Sequence, residues 1–221
     1  MSIAENISNV LKFIPKDVKL IAVSKTKTVE EMKEAYDVGI RDFGENKVQE
    51  IQNKYSDFPR DVRWHLIGHL QRNKVKYIVD KVHLIHSLDS IDLLNEIEKQ
   101  YGRKNAEAHV LIEINIGKEE SKTGIFVEQL DNLINAVENC NNVKVQGLMT
   151  VIPKGTPEEN RKYFKEMKTI FENLSNKQFK NIKMKYLSMG MTADYKIAIE
   201  EGSNMVRIGT GIFGPRNYNN K

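Results

Sequence analysis

Leu20-Ile21-Ala22-Val23-Ser24-Lys25-Thr26-Lys27-Thr28 runs from four apolar residues straight into a serine and a lysine. An uninterrupted apolar run of this kind predicts a strand buried on both faces, as in a parallel sheet. Thr28-Val29-Glu30-Glu31 has the form of a capping box, with a hydroxyl at the helix start and a glutamate three residues on. Lys25 is thereby placed between the end of a buried strand and the helix that follows it. Ligands of α/β folds bind at the carboxyl ends of strands. An amine partly desolvated there can attack a carbonyl. The plainer reading is a solvated loop lysine, one among 34 Lys and Arg residues.

Working outward, the same alternation repeats. Strands are predicted over residues 20–23, 40–43, 64–68, 82–87, 108–116, 143–149, 183–188 and 205–208. Gly44-Glu45-Asn46 reads as the turn after the second. Helical spacing fills the intervals: 29–38 ahead of Gly39, from Asn46 to about Tyr55, 73–79, a helix capped by Asp89 with Ile91, Leu94, Ile97 and Tyr101 on one face, and 126–137. Thr156-Pro157-Glu158-Glu159 is a further helix start, and Thr192 can cap a helix through Glu200. Residues 2–14 read as an additional amphipathic helix. Strand–helix alternation implies parallel pairing with right-handed crossovers. Eight such units over residues 1–221, with no linker or composition shift, predict one domain, a (β/α)8 TIM barrel with an extra N-terminal helix. An open doubly wound sheet is the alternative; no G-x-G-x-x-G follows the first strand to support it.

The bulk numbers narrow the function. Hydrophobic residues are 40% of the 221 and charged residues 29%, as in a soluble globular protein. A net charge of +4, dispersed along the chain, suits small anions and argues against nucleic acid. No segment has the length of a membrane span or the form of a signal peptide. A lone cysteine, Cys140, excludes an intrachain disulfide and fits a reducing cytoplasm; it reads as an inert thiol. The five histidines present no metal-ligand spacing. The charges from Lys47 to Lys54 and from Lys162 to Lys168 read as solvated helix faces.

If the barrel closes, its strand ends converge on one mouth. They supply Ser24 and Lys25, Glu45 and Asn46, His65 and Gly68, Ser87, Asn115, Met149 and Thr150, Ser188, and Arg207 with Gly209 and Thr210. Barrels often bind phosphate with the loops after strands seven and eight. Ser188-Met189-Gly190-Met191-Thr192 and Gly209-Thr210-Gly211 have the hydroxyls and close-approach glycines for that. A tight turn ending the last strand is an equally good account of Gly-Thr-Gly. A nucleophilic lysine and a phosphate cradle in one mouth suggest pyridoxal 5′-phosphate, with Arg207 facing its ring. Lys25 and Lys27 point the same way in an extended strand, so either can carry the aldehyde; Lys25 directly follows the buried run.

The chain resembles the pyridoxal phosphate homeostasis proteins, also called the proline synthetase co-transcribed family. The resemblance spans nearly the whole sequence: Ala22-Val23-Ser24-Lys25-Thr26-Lys27, Phe43-Gly44-Glu45-Asn46, Trp64-His65-Leu66-Ile67-Gly68-His69-Leu70-Gln71, Ser121-Lys122-Thr123-Gly124, Gln146-Gly147-Leu148-Met149-Thr150, Leu187-Ser188-Met189-Gly190-Met191 and Met205-Val206-Arg207-Ile208-Gly209-Thr210. It implies a barrel similar to the N-terminal domain of alanine racemase, with Lys25 as the Schiff-base lysine. It places the phosphate near Ser188 or Thr192, Gly209 and Thr210, and the ring nitrogen against Arg207. With Asn46, His65 and Met149 from the other strand ends, these form the expected cofactor site. Thr28 stands where the family usually has proline, and Thr192 where it often has serine.

Arg207 constrains the chemistry. A guanidinium only donates, so it leaves a ring nitrogen unprotonated and weakens carbanion stabilisation. A two-base racemase also needs a group on each ring face, and this chain has no evident second domain. The expectation is a protein of vitamin B6 homeostasis without efficient amino-acid turnover, with a weak racemase or other pyridoxal phosphate enzyme as the alternative. A carrier role would make apo-enzymes the recipients of the cofactor, and the resemblance implies a monomer.

Overall fold

The computed structural model describes residues 2–215, and within them eight parallel strands close into a barrel in sequence order. They are β1 (Lys19–Val23), β2 (Asp42–Glu45), β3 (Arg63–Leu66), β4 (Leu84–Leu88), β5 (Ala108–Glu113), β6 (Val143–Met149), β7 (Ile182–Ser188) and β8 (Met205–Ile208). β1 pairs with β2 on one side and with β8 on the other, Lys19 opposite Met205 and Ala22 opposite Ile208, so the open-sheet alternative does not hold. The helices are α1 (Ile3–Leu11), α2 (Val29–Asp37), α3 (Val48–Lys54), α4 (Ile91–Gly102), α5 (Leu130–Glu138), α6 (Pro157–Ser175), α7 (Tyr195–Glu200) and α8 (Thr210–Phe213).

The strands read as continuous apolar runs because both faces are buried. In β1, Leu20 and Ala22 join the layer between sheet and helices, while Ile21 turns inward to Leu84, Leu111, Met149 and Met205. That period of two carries on through Val23, which borders the mouth, to Lys25. α2 and α6 begin with the capping boxes legible in sequence, Thr28 with Glu31 and Thr156 with Glu159. α1 begins likewise, Ser2 with Glu5; it buries Ile7 and Val10 and ties to α8 through Asn6 Nδ2, which donates to the Ile212 carbonyl at 2.9 Å.

Several local expectations are corrected. Residues 73–79 do not form an α-helix: Arg72–Tyr77 is a 3-10 helix with no side-chain cap and a β-branched Val75 at its centre. The second strand starts at Asp42 and includes Gly44 and Glu45, so no turn falls there. β5 ends at Glu113, and beyond it Ile114 bridges only to Ile125. Ser90, not Asp89, caps α4, because Asp89 accepts instead from His69 Nδ1 at 2.7 Å; Ile91 faces solvent. Thr192 does not cap α7. Asp194 precedes that helix and turns back to accept from the Met191 amide at 2.6 Å. Lys54 lies on no solvated face; it is buried and paired with Glu45.

Candidate functional site

The carboxyl ends of the strands surround a cavity of about 460 Å³. Of the residues expected at the mouth, Lys25, Asn46, Thr192, Arg207, Gly209 and Thr210 line it, together with Lys27, Ile67 and Met191. His65, Met149 and Ser188 do not. All three are fully buried beneath it: Met149 belongs to the inner apolar cluster, and His65 and Ser188 to a polar chain described below. His65 sits inside β3 rather than at its end, which is why it cannot reach the mouth.

The segment after β1 is held firmly. Glu45 Oε1 accepts from Ser24 Oγ at 2.7 Å and from Lys54 Nζ at 2.8 Å, and Lys54 Nζ also donates to the Ser24 carbonyl at 3.0 Å. This buried clamp fixes the residue immediately before Lys25. Burial pushes the Glu45 carboxyl up to about 7, with Lys54 and Ser24 opposing. Thr26 then takes a left-handed conformation, φ 65°, its amide donating to Glu50 Oε1 at 2.7 Å. Strain of this kind in a non-glycine residue persists where the surroundings over-determine it. The turn delivers both lysines to the cavity. Lys27 Nζ donates to Glu31 Oε1 at 3.0 Å and to the Phe213 carbonyl at 2.9 Å. An amine committed in that way is a poor nucleophile.

Across the cavity, the Gly211 amide donates to Thr192 Oγ1 at 3.2 Å, and the Thr192 and Thr210 hydroxyls stand 3.4 Å apart. Thr192, misread as a helix cap, thus joins the loop after β7 to the first turn of α8. The result is a cluster of hydroxyls and backbone N–H groups suited to an anion.

Arg207 forms the cavity's inner wall, and its guanidinium is anchored from below. Nη1 donates to Ser188 Oγ at 2.7 Å and to the Ser188 carbonyl at 2.9 Å; Nη2 donates to the Thr150 carbonyl at 2.8 Å. Burial lowers Arg207 to about 10, still a cation at neutral pH. The contact with Ser188 opens a chain through the barrel. His86 Nδ1 lies 3.2 Å from Ser188 Oγ, His86 Nε2 lies 2.9 Å from His65 Nδ1, and His65 Nε2 lies 2.9 Å from Asp42 Oδ1. Its two ends fix every proton. Arginine only donates and a carboxylate only accepts, so Ser188 donates to His86, His86 Nε2 to His65, and His65 Nε2 to Asp42. Both imidazoles are neutral in this arrangement, and burial lowers both, His86 well below the ordinary histidine value. Burial alone would raise Asp42, but the hydrogen bonds from Arg63 and His65 outweigh it and hold this carboxylate well below the usual range. Sequence reading placed His86 in a strand and assigned it nothing.

Glu113, at the end of β5, is buried. Oε1 accepts from Thr123 Oγ1 at 2.8 Å, and Oε2 has no hydrogen-bond partner among the described residues. Burial, opposed by Thr123, pushes the carboxyl up to about 7. Because the unfolded carboxyl ionises near 4.5, the folded state keeps its proton longer, and stability from this group falls as pH rises from 4.5 to 7. The loss is at most about 3 kcal/mol. Glu113→Gln is therefore expected to gain on the wild type by up to that amount between pH 4.5 and pH 8 in urea denaturation. A pH-independent difference between the two proteins would overturn this account.

Comparison with known proteins matches this architecture. Residues 1–217 match the family model described as alanine racemase, N-terminal domain. A relative from Aquifex aeolicus, a pyridoxal phosphate homeostasis protein, is 43% identical over 99% of this chain and 100% of its own. PipY of Synechococcus elongatus with PLP bound superposes with a TM-score of 0.88 at 33% identity, covering 96% of this chain and 100% of that one. Alanine racemase from Clostridium difficile shares the fold, with a TM-score of 0.74 at 16% identity over 99% of this chain and 57% of that one. With the barrel, the lysine after β1 and full-length likeness in agreement, the chain belongs to the pyridoxal phosphate homeostasis protein family.

Proposed function

We infer that this chain binds pyridoxal 5′-phosphate in the barrel mouth, held covalently by Lys25, and serves intracellular vitamin B6 homeostasis without efficient amino-acid turnover. The observation that carries the reading is the meeting of Lys25, Arg207 and the Thr192–Gly211 cluster around one cavity. The residues fit the group: an amine for the aldehyde, hydroxyls and amides for the phosphate, and a cation that only donates for a ring nitrogen. When bound, the cofactor supplies an electron-withdrawing ring. Among the described residues no carboxylate forms an ion pair with Arg207, so the wall offers that nitrogen donors and no proton store. Ser188 and Thr150 keep the guanidinium in one orientation, and the Glu45–Lys54 clamp keeps Lys25 at its height in the mouth. Lys27, held by Glu31 and Phe213, supplies positive charge beside the anion. Asn46 adds a polar amide to the same wall.

Borohydride reduction followed by peptide mapping tests the assignment. The label is expected on the peptide carrying Lys25, and Lys25→Ala is expected to lose the absorbance band of bound cofactor. Label on Lys27 would overturn the choice of lysine. Homeostasis in this reading means reversible holding: the protein is a cytoplasmic monomer that releases cofactor to apo-enzymes. Transfer to an apo-enzyme is expected, and α-deuterium exchange into alanine above the level of unbound cofactor would favour a racemase instead.

A further inference from the structure

The opposite end of the barrel holds a second cavity, of about 580 Å³, where β3, β4 and β5 begin. Its wall is aromatic. Trp64 and Tyr101 line it while 2% and 3% exposed, and neither the indole N–H nor the Tyr101 hydroxyl is hydrogen-bonded to a described residue. Tyr55 and Phe58 flank the indole, with ring centroids 6.4 and 5.7 Å from it, the first tilted by 39° and the second edge-on at 83°. Charge at the rim is unbalanced. The carboxylates are engaged, Asp80 by Lys104 at 3.4 Å and Glu107 by His109 at 2.8 Å, and Arg63 is held by Asp42. Arg60 and Lys81 have no ion pair among the described residues; the Lys81 ammonium lies 5.9 Å from the Tyr55 ring centre.

An aromatic wall, two donors with no partner among the described residues and two cations with no ion pair there together complement a flat anion with acceptor atoms. We propose that this cavity is a second binding site, for a planar aromatic ring bearing a phosphate or a carboxylate. It is independent of the mouth: no residue lines both cavities.

Trp64 is the only tryptophan in the sequence, so a single indole N–H cross-peak reports occupancy. The full chain, with its mouth saturated by pyridoxal 5′-phosphate, is titrated with adenosine 5′-monophosphate and separately with benzoate. Adenosine and ribose 5-phosphate serve as ring-only and anion-only controls. A saturable shift of the indole peak is expected with at least one ring-bearing anion, with Gly209 and Thr210 at the mouth unmoved; which anion binds tells phosphate from carboxylate. Each control is expected to bind about tenfold more weakly, and so is the successful anion to the rim variant Arg60→Ala/Lys81→Ala. Tyr101→Phe, which keeps the ring and removes the donor, is expected to weaken binding about threefold. No saturable shift with either anion, equal binding of ribose 5-phosphate, or unchanged affinity in the rim variant would overturn the site.

Discussion

Gly147→Ala is expected to lower the stability of the barrel by about 4 kcal/mol or more, the range of the severest single substitutions. Gly147 lies within β6 at φ 143°, where side chains are rarely tolerated. An added Cβ would fall 1.8 Å from the Tyr186 carbonyl oxygen and 2.9 Å from the Tyr186 nitrogen, both backbone atoms of β7. No rotamer change relieves a clash with the neighbouring strand. The pairing of β6 shifts register on both flanks, between Val110 and Ile112 of β5 and between Val145 and Gly147 against β7. After that shift Met149 stands opposite both Glu113 and Ser188, and the Thr150 carbonyl is in place to accept from Arg207. The same substitution therefore loosens the wall of the mouth as well as the sheet. Gly39→Ala is the matched control: its φ is 102°, but nothing lies within 4 Å of the added Cβ, so only the backbone cost of about 1 kcal/mol remains. Urea denaturation of the two variants separates steric from conformational cost. Equal losses would refute the close-approach argument.

How far the sequence carries depends on where each residue's partner lies. The bounds of β6 and β8 match the sequence reading residue for residue, because Asn141-Asn142 and Gly209 punctuate apolar runs. The capping boxes of α2 and α6 were equally legible, each closing within four residues. Reading failed where a polar group answers to something distant. Glu45 looked like part of a turn because a carboxylate inside a strand has no local reason to be there; its reason is Lys54, nine residues on and one helix away. Lys54 was misread for the same cause, since helical periodicity cannot tell a solvated lysine from one buried on a carboxylate. Thr192 and Asp194 are both capable caps, and Thr192 is taken instead by the Gly211 amide in the first turn of α8. At the mouth, six of the nine expected residues line the cavity. The remaining three, His65, Met149 and Ser188, were placed by strand ends alone, which cannot say whether a side chain looks up into the mouth or down into the barrel.

The chain from Arg207 to Asp42 carries the other large expected effect. His86→Leu keeps a side chain of similar size and removes both ring nitrogens. Ser188 Oγ–H then has no acceptor, and His65 Nδ1 has no donor. His65 cannot adapt by changing tautomer, because Asp42 still requires the proton on Nε2. Both orphaned groups lie in fully buried residues, where each unmet bond costs roughly 1–3 kcal/mol, so a loss of about 3–5 kcal/mol is expected. His86→Gln can accept from Ser188 through its carbonyl oxygen and donate to His65 through its amide, and is expected to recover most of that loss. Simple loss of packing predicts the reverse order, since leucine fills an apolar space better than glutamine. The protein without cofactor offers an independent readout: both imidazoles are expected to show the neutral Nε2–H tautomer by nitrogen chemical shift. They are expected to be neutral at neutral pH and to take up a second proton only below the ordinary histidine range, because burial lowers both. A proton on His65 Nδ1 would break the link to His86, and the direction of every bond above it would be wrong. With the chain intact, Arg207 is held at Nη1 and Nη2 by Ser188 and Thr150, so the donors it presents to the mouth are fixed before any ligand arrives.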